Sequence, residues 1–199
     1  MQDKCKICGS DKLSIFDHTA KCGTCGALLY YPYPPDDADL VESGEGKSWS
    51  YDDALAWYRQ SAYLNHDNFT SMLRFTVAEA DRGRPLDILD YGGGGGQFAL
   101  ICKSHLPDAR VHITDISDES LLEPFRSVNI QIPFRAFPDD QRVFDIIFMN
   151  DVFEHLSNPA ETLALLGRKL KPGGKIFIDT PKQFWLYPVA KAVYPRLYA

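Results

Sequence analysis

The chain has no uninterrupted apolar run long enough to cross a bilayer, and its first residues, Met1-Gln2-Asp3-Lys4-Cys5, lack the charged-then-apolar layout of a secretory leader. The expectation is a protein of the cytoplasm. Basic excess is missing too: a formal net charge of -6 over 199 residues disfavours gripping a phosphate backbone, so nucleic acid is not the expected partner. Cysteine is scarce after residue 25, where only Cys102 remains. No internal repeat or low-complexity tract is present. No Gly-Lys-Ser/Thr follows the glycine-rich stretch, which removes an ATPase-type phosphate loop. What is there, 45% apolar and 24% charged residues, suffices for one good-sized core and a small appended module.

The other four cysteines are grouped as Cys5-x-x-Cys8 and Cys22-x-x-Cys25. Two such knuckles can present four thiolates tetrahedrally to one zinc ion, with Gly9, Gly23 and Gly26 letting the backbone curl round it. A pair of disulfides is the alternative, disfavoured in a reducing compartment. Four thiolates close the coordination shell, so such a zinc is structural and has no open position for water. Cys102 lies in a predicted apolar helix and is read as a small buried residue. Domain boundaries follow: a ribbon over 1–35, a linker over 36–51 and a main domain over 52–199. Leu28 to Pro35, broken by Pro32, Pro34 and Pro35, reads as a linker or edge strand.

From Asp52 to about Ala80, apolar positions including Leu55, Tyr58, Phe69, Met72, Leu73 and Phe75 recur at helical intervals, which predicts one or two amphipathic helices. Beyond Pro85, short apolar runs alternate with helical stretches, the pattern of a mostly parallel sheet in a doubly wound α/β fold. Strands are expected at 86–90, 110–115, about 129–134, 143–150 and 174–179. Asn158-Pro159-Ala160-Glu161 predicts a helix start, with a side-chain cap, proline at the first position and a carboxylate reaching back. That helix is expected to run to about Leu170 and to end at Lys171-Pro172-Gly173-Gly174. The tail from Phe184 to Tyr198 is aromatic and reads as a helix packed on the sheet.

Asp90-Tyr91-Gly92-Gly93-Gly94-Gly95-Gly96 follows the first of these strands. Successive glycines add no side chain and cost backbone entropy, so they suit a chain that must turn sharply and lie against a ligand. The pattern D-x-G-x-G-x-G resembles motif I of class I methyltransferases that use S-adenosylmethionine (SAM). Phe144 to Leu156 resembles their fourth-strand motif, and Leu170-Lys171-Pro172-Gly173-Gly174 the turn before their fifth strand. The resemblance, over about residues 52–182, is to ubiquinone-type O-methyltransferases and to zinc-ribbon methyltransferases of sugar and natural-product pathways.

That resemblance implies a Rossmann-like core and methyl transfer to a small-molecule acceptor, a sugar or other biosynthetic intermediate. It implies that Gly92, Gly94 and Gly96 form the cofactor turn, that Asp90 orients it and meets the methionine ammonium, and that Asp115 accepts the ribose hydroxyls. Asn150 is expected near the ligand. Asp151 and the Glu154-His155 pair are expected at the acceptor rim, with His155 either a proton acceptor or a residue shaping the pocket. The family's sheet carries two further strands for which residues after about 179 leave little room, so truncation, an abbreviated fold or completion by a partner are all open. Three rival readings remain: a dehydrogenase, because Gly94-x-Gly96-x-x-Ala99 also fits a dinucleotide pattern; an RNA methyltransferase that uses the ribbon; and a non-catalytic SAM-binding domain.

Overall fold

In this computed structural model the described residues are 4–16, 19–31, 51–78, 81, 83–116, 129–156 and 158–180. The linker 36–50 and the aromatic tail 184–198 lie outside them. The first unit is a three-stranded antiparallel sheet, β1 (Leu13–Phe16), β2 (Thr19–Cys22) and β3 (Leu28–Tyr30), in sequential order. Leu28–Tyr30 is therefore the edge strand of the two alternatives.

The main unit opens with one long helix, α1 (Tyr51–Thr76). Phe69, Met72, Leu73 and Thr76 follow the helical period and face the sheet. Phe75 departs from that stripe: it is 84% exposed and meets only the edge of Phe177 among described rings. Next come β4 (Asp87–Tyr91), α2 (Gln97–His105), β5 (Arg110–Thr114), β6 (Asn129–Gln131), β7 (Phe144–Asn150), α3 (Pro159–Arg168) and β8 (Leu170–Asp179). The five strands pair in parallel in the order β6-β5-β4-β7-β8. Strand order reverses between β4 and β7, and in such sheets ligands bind outside the carboxyl ends of the strands at that switch point.

Alternation along the strands builds a core on each face. Ile88, Ile146 and Phe148 pack with Met72, Leu73, Phe98 and Cys102 on the α1/α2 side. Leu89, Tyr91, Ile147 and Met149 pack with Phe137 and Leu166 on the other. All residues of β4 are buried, as expected of a central parallel strand covered on both faces.

Three local expectations are corrected. The third strand of the sheet ends at Gln131, not near 134, because Pro133 has no N–H to extend the ladder; residues Phe134–Asp139 wind instead into a 3-10 turn. Helix α3 does start at Pro159, but the Asn158 side chain makes no capping bond, and the first-turn amides of Glu161 and Thr162 are met by the Asn158 carbonyl. The same helix stops at Arg168, and β8 begins at Leu170. Its pairing with β7 slips between Leu170 and Lys175, so Lys171–Gly174 forms an irregularity within the strand, with Gly173 at φ 77°.

The amino ends of the strands are tied by ions. Arg110 grips Asp87 with two bonds, Nε to Oδ1 at 2.6 Å and a terminal nitrogen to Oδ2 at 2.7 Å. Lys171 Nζ donates to both Asp87 Oδ2 (2.7 Å) and Asp145 Oδ2 (2.8 Å), and Arg84 donates to Asp145 Oδ1 at 2.9 Å. The Arg110 guanidinium, reinforced by Lys171, holds the Asp87 carboxyl far below the usual range despite opposing burial. For Asp145 burial pushes up, but the bonds from Lys171, the Asp87 amide and Arg84 outweigh it and the net shift is down.

Candidate functional site

At the opposite, carboxyl end of the sheet the five glycines turn the chain from β4 into α2. Gly92, Gly94 and Gly96 have φ of 75°, 49° and 85°, the left-handed region that other residues avoid. They are the three that the D-x-G-x-G-x-G spacing singles out. Gly93 is needed for another reason, close approach: a Cβ there would lie 2.5 Å from Asp90 Oδ2 and 2.7 Å from Ile113 Cδ1. A Cβ on Gly92 would meet Val152 at 2.4 Å, so the loops after β4 and β7 touch across the switch point. The turn is pinned to β5 by Gly92 N–H to the Thr114 carbonyl (2.7 Å) and Gly94 N–H to Asp115 Oδ2 (2.9 Å).

Beneath this turn lie polar atoms that the described protein does not satisfy. Asp90 Oδ2, Thr114 Oγ1 and Asn150 Oδ1 are buried without a hydrogen-bond partner among the described residues. Asp90 is 1% exposed; burial, with the Asp115 charge adding to it, pushes its carboxyl up to about 8. Buried polar groups are almost always paired, so several orphans around one glycine turn point to a ligand that completes them. Thr114 and Gly93 escaped the sequence reading. Nothing in the spelling of a strand end marks a hydroxyl as orphaned, and motif spacing treats Gly93 as a variable position.

The rim is formed after β7. Asp151 has φ 52°, unusual for a residue with a side chain, and its N–H bonds the Asp179 carbonyl at 3.0 Å. Its carboxyl is raised by burial first, then by Glu154 and Asp179, with His155 opposing. Glu154 and His155 sit exposed on a 3-10 turn, Phe153–His155. Asp90, the glycine turn, Asp115, Asn150 and Asp151 thus converge on one end of the sheet, with His155 at its margin. A SAM-type cofactor fits this end chemically: its cationic groups suit an unpaired carboxyl, and glycine backbone permits close contact.

The four cysteines also converge. Cys5 and Cys25 Sγ lie 3.7 Å apart, Cys8 and Cys22 Sγ 3.6 Å, and all four fall within 4.8 Å of one another. A tetrahedron of sulfurs about 2.3 Å from zinc has edges of about 3.8 Å, so the set fits a closed thiolate site. Each knuckle closes alike, with Gly9 N–H on the Cys5 carbonyl (2.8 Å) and Gly26 N–H on the Cys22 carbonyl (3.0 Å). Both glycines have positive φ. The Cys25 amide leads in drawing the Cys22 thiol down to about 6, while at Cys8 the Ser10 backbone bond is outweighed by burial and the neighbouring thiols, which push it up to about 12.

Residues 62–196 match the profile of a family described as a methyltransferase domain. The chain is 30% identical over 129 residues to methyltransferase str3 of Strobilurus tenacellus, covering 62% of this chain and 44% of that protein. It is 31% identical over 102 residues to a ubiquinone biosynthesis O-methyltransferase of Idiomarina loihiensis, covering 47% and 41%. The chain therefore spans less than half the length of these curated relatives. Phosphoethanolamine N-methyltransferase 2 of Haemonchus contortus, solved with SAM, superposes with a TM-score of 0.56 at 17% identity, over 83% of this chain and 42% of that one. That likeness establishes the shared Rossmann-like fold. Among the described residues, no helix is long and apolar enough to cross a membrane.

Proposed function

The chain belongs to the methyltransferase-domain family, and from that premise we propose that it binds SAM under the Gly92–Gly96 turn and directs methyl transfer to a small-molecule acceptor. The observation that carries this reading is the set of orphaned atoms, Asp90 Oδ2, Thr114 Oγ1 and Asn150 Oδ1, gathered beneath glycines whose backbone could not accept side chains. When bound, SAM supplies an activated methyl group on a sulfonium, so no metal is needed for the transfer. The protein has to hold the donor, admit the acceptor, exclude water and accept a proton where the acceptor carries one.

Backbone N–H groups at the start of α2 suit the methionine carboxylate. Asp90 faces the methionine ammonium, and Asp115, already anchored by the Gly94 amide, offers its carboxylate to the ribose cis-diol. Asn150 borders the same ligand. Asp151 and His155 act at the acceptor side, with His155 as the residue that takes the acceptor proton. Residues 1–35 form a ribbon in which Cys5, Cys8, Cys22 and Cys25 hold a structural zinc, joined through 36–51 to the SAM-binding domain 52–199. A cytoplasmic location keeps these thiols reduced. A sugar or another biosynthetic intermediate is the acceptor class we favour, since the ribbon's lysines Lys4, Lys6, Lys12 and Lys21 are nearly balanced by Asp3, Asp11 and Asp17 and give RNA little grip.

Calorimetric titration of the zinc-loaded chain with SAM, S-adenosylhomocysteine and NADH in parallel tests the reading. Binding of the first two in the range of about 1–100 μM, with none of NADH, is the expected result. NADH binding alone would replace the assignment with a dehydrogenase.

A further inference from the structure

Asp90 is set in an environment that its proposed role does not require. Its carboxyl is 1% exposed, and Oδ2 has no hydrogen-bond partner among the described residues. Gly93 passes so close above it that a Cβ would stand 2.5 Å from Oδ2, so the turn itself keeps water off the oxygen. Each described element packed against Asp90 brings either no charge or the wrong one. From β7 its pairing partner is Phe148, and from β5 it is Ile113. From α2 comes the Cys102 thiol, raised well above its ordinary value first by burial and then by the Asp90 charge itself. After β5 stands Asp115, whose negative charge adds to the burial. No cation from a described residue faces Asp90. An isolated ionised carboxylate in such a place would cost several kcal/mol, and a group so placed neutralises instead.

Resting on the SAM reading above, we infer that Asp90 carries a proton in the cofactor-free protein and releases it to solvent when the cationic cofactor enters, so that binding exchanges one proton. The O–H bond of the carboxylic acid breaks, the proton leaves to bulk buffer, and the carboxylate left behind faces the ligand's positive charge. No other bond changes. The site is thereby spared a bare buried anion while empty, and its negative charge develops only where a cation can meet it. Cofactor affinity then depends on pH. Below the midpoint of the free Asp90, each fall of one pH unit weakens binding by about tenfold, until the midpoint of the bound form is reached.

The test is calorimetric titration of the full chain with SAM at pH 7, in phosphate and in Tris, whose ionisation enthalpies differ. Native protein is expected to release about one more proton than Asp90→Asn, in which the side chain keeps its shape and loses its acidity; protons from the ligand's own amino group are common to both. A carbon-13 titration of the aspartate carboxyls of cofactor-free native protein gives a second readout that needs no variant to bind. The carboxyl signal missing from Asp90→Asn is expected to titrate above about pH 6, and to lie in its ionised position at pH 7 once SAM is present. Equal proton release by both proteins, or a free Asp90 that titrates near the ordinary value of about 4, would overturn the inference and leave the SAM assignment standing. Absence of any SAM heat from native protein would overturn the SAM assignment, and the exchange with it.

Discussion

Asp87 and Asp90 stand on the same buried strand, β4, and their carboxyls meet opposite conditions. Asp87 is clasped by Arg110 and Lys171 and held ionised; Asp90 has an orphaned oxygen and is pushed up to about 8, by burial first and Asp115 second. Asp145 and Asn150 repeat the contrast on β7. The amino-end residue lies in the Arg84 and Lys171 network, and the carboxyl-end residue has a buried oxygen without a described partner. Both carboxyls at the amino end are met by described cations, although the His112 Nδ1 beside them is buried without a described partner; at the carboxyl end the Asp90 and Asn150 oxygens have none. Whether a carboxyl finds a described cation, not charge count, distinguishes the amino end from the end at which we propose that the cofactor binds.

The contrast can be broken from either side. At the carboxyl end, Asp115→Ala is expected to weaken SAM binding about a hundredfold, about 2.7 kcal/mol, while moving the cofactor-free melting midpoint by less than about 2 °C. Calorimetry and a thermal scan on the same preparation check both halves. At the amino end the pattern should invert: Asp145→Ala leaves Lys171 and Arg84 without one carboxylate and is expected to cost about 2 kcal/mol of stability in urea unfolding, with SAM affinity unchanged. A loss of both stability and affinity in either variant would mean that the two ends are not separable.

The two ends also predict opposite responses to pH. Asp87 and Asp145 have folded-state values below the ordinary 3.8, so the stability they contribute is present above about pH 4 and is lost as pH falls below it. Asp90 is raised in the folded state, so the cofactor-free protein is favoured at low pH and loses stability as pH climbs from about 4 towards about 8. Urea midpoints of cofactor-free Asp90→Asn should show a flatter slope across that interval than native protein. An unchanged slope would remove Asp90 as its source.

Glycine substitutions sharpen the comparison at smaller amplitude. Gly93→Ala forces a methyl group against Asp90 and Ile113, and overpacking of this kind typically costs about 1–3 kcal/mol, here together with weakened SAM binding. Gly167→Ala, in α3 with nothing within 4 Å of the added carbon, should instead raise stability by about 0.5–1 kcal/mol and leave binding untouched. Chemical unfolding of the two variants side by side gives the sign directly.

Much of this architecture was legible in residue order because its signals are local. Apolar runs marked β4, β5, β7 and the end of β8; cysteine spacing marked the ribbon; glycine spacing marked the three positive-φ positions. What was not legible depends on contacts between distant segments. Arg84 meets Asp145 across 61 residues and Lys171 meets Asp87 across 84, and no window of sequence contains either pair. Gly93 falls at a variable position of the D-x-G-x-G-x-G spacing, and its particular constraint, Asp90 and Ile113 beside it, is a neighbour in space. The expected Asn158 side-chain cap failed because its Oδ1 is turned to Lys6 Nζ, 3.4 Å away and 152 residues off in the chain. The expected extension of β6 past Gln131 overlooked the break that Pro133 imposes.

Amide hydrogen exchange of the zinc-loaded chain, with and without saturating SAM, tests the division of the sheet most directly. The account predicts slowed exchange at Gly92–Phe98, at Thr114 and Asp115, and at Asn150–His155, with the amides around Arg84, Asp145 and Lys171 unchanged. Slowed exchange confined to the amino end, or none at the glycine turn while SAM is bound, would contradict it.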